Sequence, residues 1–176
     1  MNSKIGIVPK PVVVGACLAL LTMLLGFLLG VSFGAKESSI MAHLDKSGTA
    51  ALQSVYNGDN AAKDMVVKKS WVYLKRAHLH GGAIGAGALG AILILILLCR
   101  LNLIAKLSAL ALGSGALIYS LFWLFAGLTS PELGSTDAAK ESLSFIAIPG
   151  AGLVVLGMLG TIYSVVMSNF FDSGEA

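Results

Sequence analysis

Charge is the scarcest property of this chain. Of its 176 residues only 12% are Asp, Glu, Lys or Arg, where an average soluble domain carries about 25%. Apolar residues make up 56%, and the two figures together exclude an ordinary soluble domain. Twelve basic and nine acidic groups leave a formal charge of +3, with no basic stripe of the kind a nucleic-acid binder presents, so no nucleic-acid partner is expected. Proline is rare, at four residues, and 16 of the 21 glycines lie inside apolar runs without a collagen period; low-complexity disorder is excluded too. Two cysteines, Cys17 and Cys99, read as small buried hydrophobes and say nothing of redox compartment. Also missing are a serine in a nucleophile-elbow pattern, a cysteine near a histidine, and a glycine loop followed by lysine that would cradle phosphate. Hydrolysis and nucleotide turnover are therefore not expected.

What is present is a set of four stretches without a single ionised side chain: 12–35, 79–99, 107–128 and 143–167. They hold 24, 21, 22 and 25 residues, 92 in all. A hydrocarbon layer of about 30 Å takes about 20 helical residues at 1.5 Å each, and only helices satisfy their own backbone there, so each stretch reads as one spanning helix. The fold class that follows is all-α: an integral membrane four-helix bundle forming a single domain, 1–176. The first run follows Lys4 and Lys10 and resembles a signal peptide at its start, but it is longer than a signal core and reads as an anchor. A lipid bilayer is the expected surrounding, and a bacterial inner membrane the expected location.

The segments between the runs differ sharply in length. Residues 100–106 leave room only for a tight hairpin, and 129–142, with Pro131, Gly134 and Ser135, read as a short polar loop. Residues 36–78 form a 43-residue, partly helical extramembrane loop. In it, Ile40, Met41 and Leu44, and then 49–56, read as short helices on the membrane surface. Asn57-Gly58-Asp59 marks a turn, Asn60 an N-cap, and the chain from Ala61 runs as one helix into the second span, supported by an Asp64–Lys68 pair. The face with this loop carries eight Lys and Arg against four on the face with the termini, so the basic-residue count places the loop in the cytoplasm. Ile148-Pro149-Gly150 is expected to kink or delay the fourth helix.

Small residues recur at helical spacing. Gly26, Gly30 and Gly34 form overlapping GxxxG units on the first run, and Gly82, Ala86 and Gly90, beside Ala83, Gly87 and Ala91, give the second run two small-residue stripes. Such stripes allow close helix approach; they point to packing within the bundle, to contacts with other membrane subunits or a homo-oligomer, or to room for a flat cofactor. No mid-span carboxylate is present to carry a proton or sodium ion, which disfavours a rotor ring or a transporter. Trp71, Tyr119, Trp123 and Tyr163 read as packing or interfacial residues.

All three histidines, His43, His78 and His80, fall on one face of the bundle, two of them in Lys75-Arg76-Ala77-His78-Leu79-His80-Gly81-Gly82. Neutral imidazole is a ligand for zinc, copper and haem iron, so three in a layer suit a metal site and two suit axial haem ligation, with Lys75 or Arg76 pairing propionates or headgroups. Residues two apart on a regular helix point about 200° apart. His78 and His80 therefore cannot share one site unless the helix begins only at Gly81, and His43 joins them only across a break in the first helix.

His78-Leu79-His80 before an apolar, glycine-containing run resembles small four-helix membrane proteins and haem-copper proteins with His-x-His at a helix entrance. That resemblance implies histidine ligation of haem b or copper. Arg76-Ala77-His78, with the four-run plan, resembles the membrane-associated eicosanoid and glutathione metabolism family; that implies a glutathione-dependent membrane enzyme, although His80 stands where that pattern has Asn and the third run has no Arg. Three functions are thus expected, in this order: a haem- or copper-binding subunit serving electron transfer or assisting a larger membrane complex, a structural or assembly subunit without cofactor, and a glutathione enzyme. An autonomous enzyme is the less expected outcome.

Overall fold

In a computed structural model, which describes residues 8–171, the chain is helical almost throughout. The elements are α1 (Lys10–Ala50), α2 (Asn60–Leu98), α3 (Leu103–Leu133), the short α4 (Thr136–Ser142) and α5 (Ser144–Val166), which ends in a single π turn, Met167–Phe171. Four of these helices are long and apolar enough to cross a membrane, the fourth counted from Ser144 to Phe171.

The apolar runs set the middle of each helix but not its ends. Leaving the uncharged run at Lys36, α1 does not stop: Lys36 takes non-helical angles (φ −136°, ψ 24°), and the helix resumes to Ala50. Gly34 and the Ser38-Ser39 pair flank this kink, residue types at which helices bend. Ile40, Met41 and Leu44 lie on the helical segment of α1 that follows this kink. Asn57 (φ 52°) and Gly58 (φ 81°) make the turn, as their residue types favour. The cap of α2 is Asp59, one residue before the expected Asn60: its carboxylate accepts from the Ala62 amide at 3.0 Å.

The expected 43-residue loop is therefore a helical hairpin. Leu44, Val67 and Leu74 form its buried seam, with Trp71 and Phe33 against them. The buried Lys63 ammonium lies 2.7 Å from Asp45 across the hairpin and 3.2 Å from Asp64, so Asp64 turns to Lys63 and not to Lys68. At the bend, the Tyr56 hydroxyl donates to the Pro131 carbonyl at 2.7 Å, and Val55 lies against Gly134, which ties the turn to the end of α3.

The segment 129–142 is likewise more helical than its proline suggests. Pro131 is inside α3, Gly134 closes that helix with φ 78°, and Ser135 caps α4 through the Ala138 amide at 2.9 Å. Only Leu143 separates α4 from α5, and α5 runs through Pro149 without a break. At the other end, Asn102 caps α3 after the tight hairpin, accepting from the Ala105 amide at 3.0 Å.

Central to the bundle, α3 packs on α1, α2 and α5. The core is narrow and small: Ala19, Ala88, Ala105, Ala109 and Ala116 are buried with Val12, Ile92, Leu95 and Leu112. Large apolar side chains face outward instead, among them Leu97 and Phe170 at 76% exposure and Val31 at 70%. An outer surface this apolar is compatible with contact with a lipid bilayer. Cys17 is exposed on that outer surface and Cys99 is half-buried, so Cys17 is not the buried thiol that its apolar run suggests.

Candidate functional site

Glycine decides where the helices touch. An atom added as a Cβ on Gly26 would lie 2.6 Å from the Gly82 nitrogen and 2.9 Å from the Gly81 carbonyl carbon; no side chain larger than hydrogen fits between α1 and α2 at this level. Gly81 and Gly85 face α1 in the same way. The stripe turned to α1 is therefore Gly81 and Gly85, one residue out of step with the expected Gly82, Ala86 and Gly90; side chains added at Gly82 or Gly90 would meet nothing within 4 Å.

This close crossing positions His78. Its Nδ1 donates to the Gly26 carbonyl at 2.7 Å, and its ring fills the space above Gly30, where an added Cβ would meet Cε1 at 2.7 Å. A carbonyl oxygen only accepts, so Nδ1 carries the proton of this hydrogen bond, and the neutral tautomer that makes it has its lone pair on Nε2. The ring lines a groove of about 380 Å³ with Gly30, Phe33, Gly34, Glu37, Trp71 and Lys75. Phe33 stands edge-on to both Trp71 (4.9 Å) and His78 (6.1 Å), and the Lys75 ammonium is 5.9 Å from the Trp71 ring. One wall of the groove is thus glycine, one aromatic, with a cation and a carboxylate at the rim.

His80 turns to the other side of α2, as a 200° offset requires. Its Nδ1 donates to the Arg76 carbonyl at 2.9 Å, and its ring lies 5.5 Å from Tyr119 and 5.6 Å from Trp123, on α3. Arg76 accompanies it there, its guanidinium 5.1 Å from the Tyr73 ring and 5.0 Å from the Trp123 ring. Lys75 and Arg76, adjacent in sequence, therefore serve opposite sides.

His43 is exposed on the hairpin. The break it would need is present at Lys36, yet His43 is absent from the groove that holds His78. Among the described residues no three His, Cys, Asp or Glu side chains come together as a metal-holding group. The expected three-histidine metal site, His43 with His78 and His80, is not assembled in this chain, because helix α2 continues unbroken through 78–82 and sends its two histidines apart. Of the expected cofactor-binding residues, the structure joins His78 to Lys75 and His80 to Arg76.

Phe33, Glu37 and Trp71 complete the His78 groove; the sequence marks Trp71 only as a packing or interfacial residue and does not single out Phe33 or Glu37. Their signal was spacing: Trp71, Lys75 and His78 stand at i, i+4 and i+7 on α2, and Gly30, Gly34 and Glu37 repeat that spacing on α1. Comparisons of the chain with known protein families, with curated proteins and with solved structures found no match.

Proposed function

We propose that this chain is a small integral membrane subunit that crosses the bilayer four times and holds a haem b against His78, serving electron transfer within a larger membrane complex. The observation that carries the reading is the hydrogen bond from His78 Nδ1 to the Gly26 carbonyl, which leaves Nε2 as the lone-pair nitrogen of a ring lining the groove. Metal-bound histidines characteristically donate their second ring nitrogen to a carbonyl or carboxylate in this way, which fixes both tautomer and ring orientation. A lone imidazole favours haem over copper. The porphyrin supplies four nitrogens of its own and asks the protein for an axial ligand, whereas a trigonal copper site needs several protein ligands in one place.

The surroundings of His78 suit a flat, amphipathic ligand. Gly30 and Gly34 leave one wall without side chains, Phe33 and Trp71 give aromatic edges, and Lys75 is a cation for a propionate at the polar rim. An open groove covers one face of a macrocycle and leaves the other to lipid or to a neighbouring subunit.

The test is an oxidised and reduced absorption spectrum of the protein purified in mild detergent from cells supplied with haem precursor. A haem band is expected in wild type, absent in His78→Ala and retained in His80→Ala. Gly30→Ala presses a methyl on the His78 ring and is expected to lower haem affinity on the order of tenfold. A blank spectrum with no iron by metal analysis overturns the haem reading.

A second reading, a cofactor-free assembly subunit, is favoured by one observation. Gly82, Ala83, Ala86, Gly87 and Gly90 form an outward small-residue face on α2, and none of the three glycines has a neighbour within reach of an added Cβ. Stoichiometric partners co-purifying without haem would support that reading in place of the first.

A further inference from the structure

On the side of α2 away from the His78 groove lies a second niche, of about 300 Å³, lined by Lys69, Val72, Tyr73 and Arg76 from α2 and by Thr136 and Asp137 from α4. Its α2 residues follow the i, i+3, i+4, i+7 pattern of a single helical face. The niche carries two cations that are not in ion pairs among the described residues, Lys69 and Arg76. Arg76 is not a loose surface arginine: its guanidinium lies over the rings of both Tyr73 and Trp123, at 5.1 and 5.0 Å, so its planar fork of donors is held before a ligand arrives. The carboxylate in the niche, Asp137, is occupied by Lys140 at 2.7 Å, with Lys69 adding to the positive field on it. Lys69, Arg76 and Lys140 against Asp137 leave the niche at +2.

Apolar surface adjoins this charge. Leu79, one turn beyond Arg76 and the first residue of the charge-free run, is 62% exposed; Phe145 and Ile148, in the first turns of α5 just after α4, are 71% and 72% exposed. A fixed guanidinium and a free ammonium above outward apolar side chains match a ligand with an anionic phosphate head and hydrocarbon tails. We propose that the Lys69–Arg76 niche binds the phosphate headgroup of an anionic phospholipid, whose acyl chains lie along the outer faces of α2 and α5 beside Leu79, Phe145 and Ile148. Guanidinium–phosphate pairing is bidentate and directional, so the site selects the anionic lipid that fills it and is more than a diffuse basic collar. This site is independent of the haem reading, but rests on the reading that the helices lie in a bilayer.

The test uses full-length protein in detergent, titrated with phosphatidylglycerol, with phosphatidylcholine and, separately, with inorganic phosphate, and read by native mass spectrometry for lipid and by thermal shift for phosphate. Preferential retention of phosphatidylglycerol is expected. Arg76→Gln and Lys69→Gln should each weaken it about fivefold, and the double variant by the product, from roughly one unit of surface-lipid attraction per cation. Arg76→Lys keeps the charge but loses the fork, and should fall between wild type and Arg76→Gln. Lys68→Gln, on the groove lined by Met41 and Asp64, should change nothing; circular dichroism identifies any variant that fails to fold. Unchanged phosphatidylglycerol binding in the folded double variant overturns the site, and so does equal binding of phosphatidylcholine. Inorganic phosphate binding as tightly as the lipid would make this a free-anion site and overturn the lipid. Extraction of the chain from membranes by alkaline carbonate would instead defeat the bilayer reading itself.

Discussion

A charge that is buried must be matched, and Lys63 shows how this chain does it. The residue is only 8% exposed, its stem lies against Gly48, where an added Cβ would stand 2.9 Å from Lys63 Cγ, and its ammonium reaches Asp45 and Asp64 at the hairpin edge. The hydrogen bond to Asp45 raises the Lys63 pKa above the usual lysine value, more than burial lowers it. A raised folded-state pKa means that the pair's contribution is fully present below the unfolded lysine pKa, about 10.4, and is lost as pH rises through the higher folded value. The hairpin should therefore hold its geometry from neutral pH to about 10 and loosen only above. Spin labels on the outer faces of α1 and α2 within the hairpin, followed by distance measurement during an alkaline titration, check this. Asp45→Asn removes the main cause of the raised pKa and should move the transition to lower pH; an unmoved transition would show that Asp45 is not the partner that matters. The opposite sign holds at Asp137, whose pKa the Lys140 hydrogen bond lowers, so that its contribution is lost only on acidification below the ordinary carboxylate range.

At the scale of helices, packing depends on two kinds of glycine that look alike in the sequence. An added Cβ on Gly113 would lie 2.8 Å from the Gly15 Cα, and one on Gly15 would lie 2.6 Å from the Ala109 carbonyl carbon; backbone cannot move aside as a flexible side chain can. Gly113→Ala is expected to force α1 and α3 apart and to destabilise the bundle by about 1–3 kcal/mol, the usual result of overpacking. Gly82→Ala and Gly90→Ala should stay within about 0.5 kcal/mol, as measured by unfolding in mixed micelles. A large loss at Gly82 or Gly90 would show instead that a second protein chain covers that face. The same pairs explain what the sequence reveals and what it does not. The four long apolar helices and the Asn57-Gly58 turn were legible, because charge is excluded from apolar runs and positive φ selects particular residues. The phase of the small-residue stripe was not: 81 and 85 satisfy the same spacing as 82, 86 and 90, and only the neighbouring helix chooses between them. Helix ends were also hidden, since charge marks where a helix leaves the apolar run, not where it stops; Lys36 bends α1 without ending it. Nor was the separation of His43 from His78 legible, since it depends on the path of α1 beyond that bend.

For the whole molecule, the hairpin of α1 and α2 acts as a cap fixed to the rest of the bundle at its turn. From Lys36 to Ala50, α1 extends about 20 Å past its uncharged run at 1.5 Å per residue, yet the turn does not swing free, because Tyr56 and Val55 engage the end of α3 at Pro131 and Gly134. Tyr56 is 6% exposed, and its desolvation raises the hydroxyl pKa, an effect that the nearby Lys63 partly opposes; the group remains a neutral donor at physiological pH. Removing the hydroxyl leaves the Pro131 carbonyl short of a partner at a cost of about 0.5–1.5 kcal/mol, enough to raise the open population of the turn roughly two- to tenfold if opening and closing are fast. For a chain that spans the bilayer as proposed above, the turn also reports topology. Its face of the molecule carries eight of the twelve basic residues, and short basic segments stay on the cytoplasmic side during insertion. In a background with Cys17 and Cys99 replaced by Ser, a Ser54→Cys reporter should react with a membrane-impermeant maleimide in inverted vesicles and resist it in sealed right-side-out vesicles. Adding Tyr56→Phe should speed that reaction without changing its sidedness. Labelling from the outer side would reverse the orientation for the whole chain, while an unchanged rate in Tyr56→Phe would remove the Tyr56–Pro131 latch as the element that holds the cap.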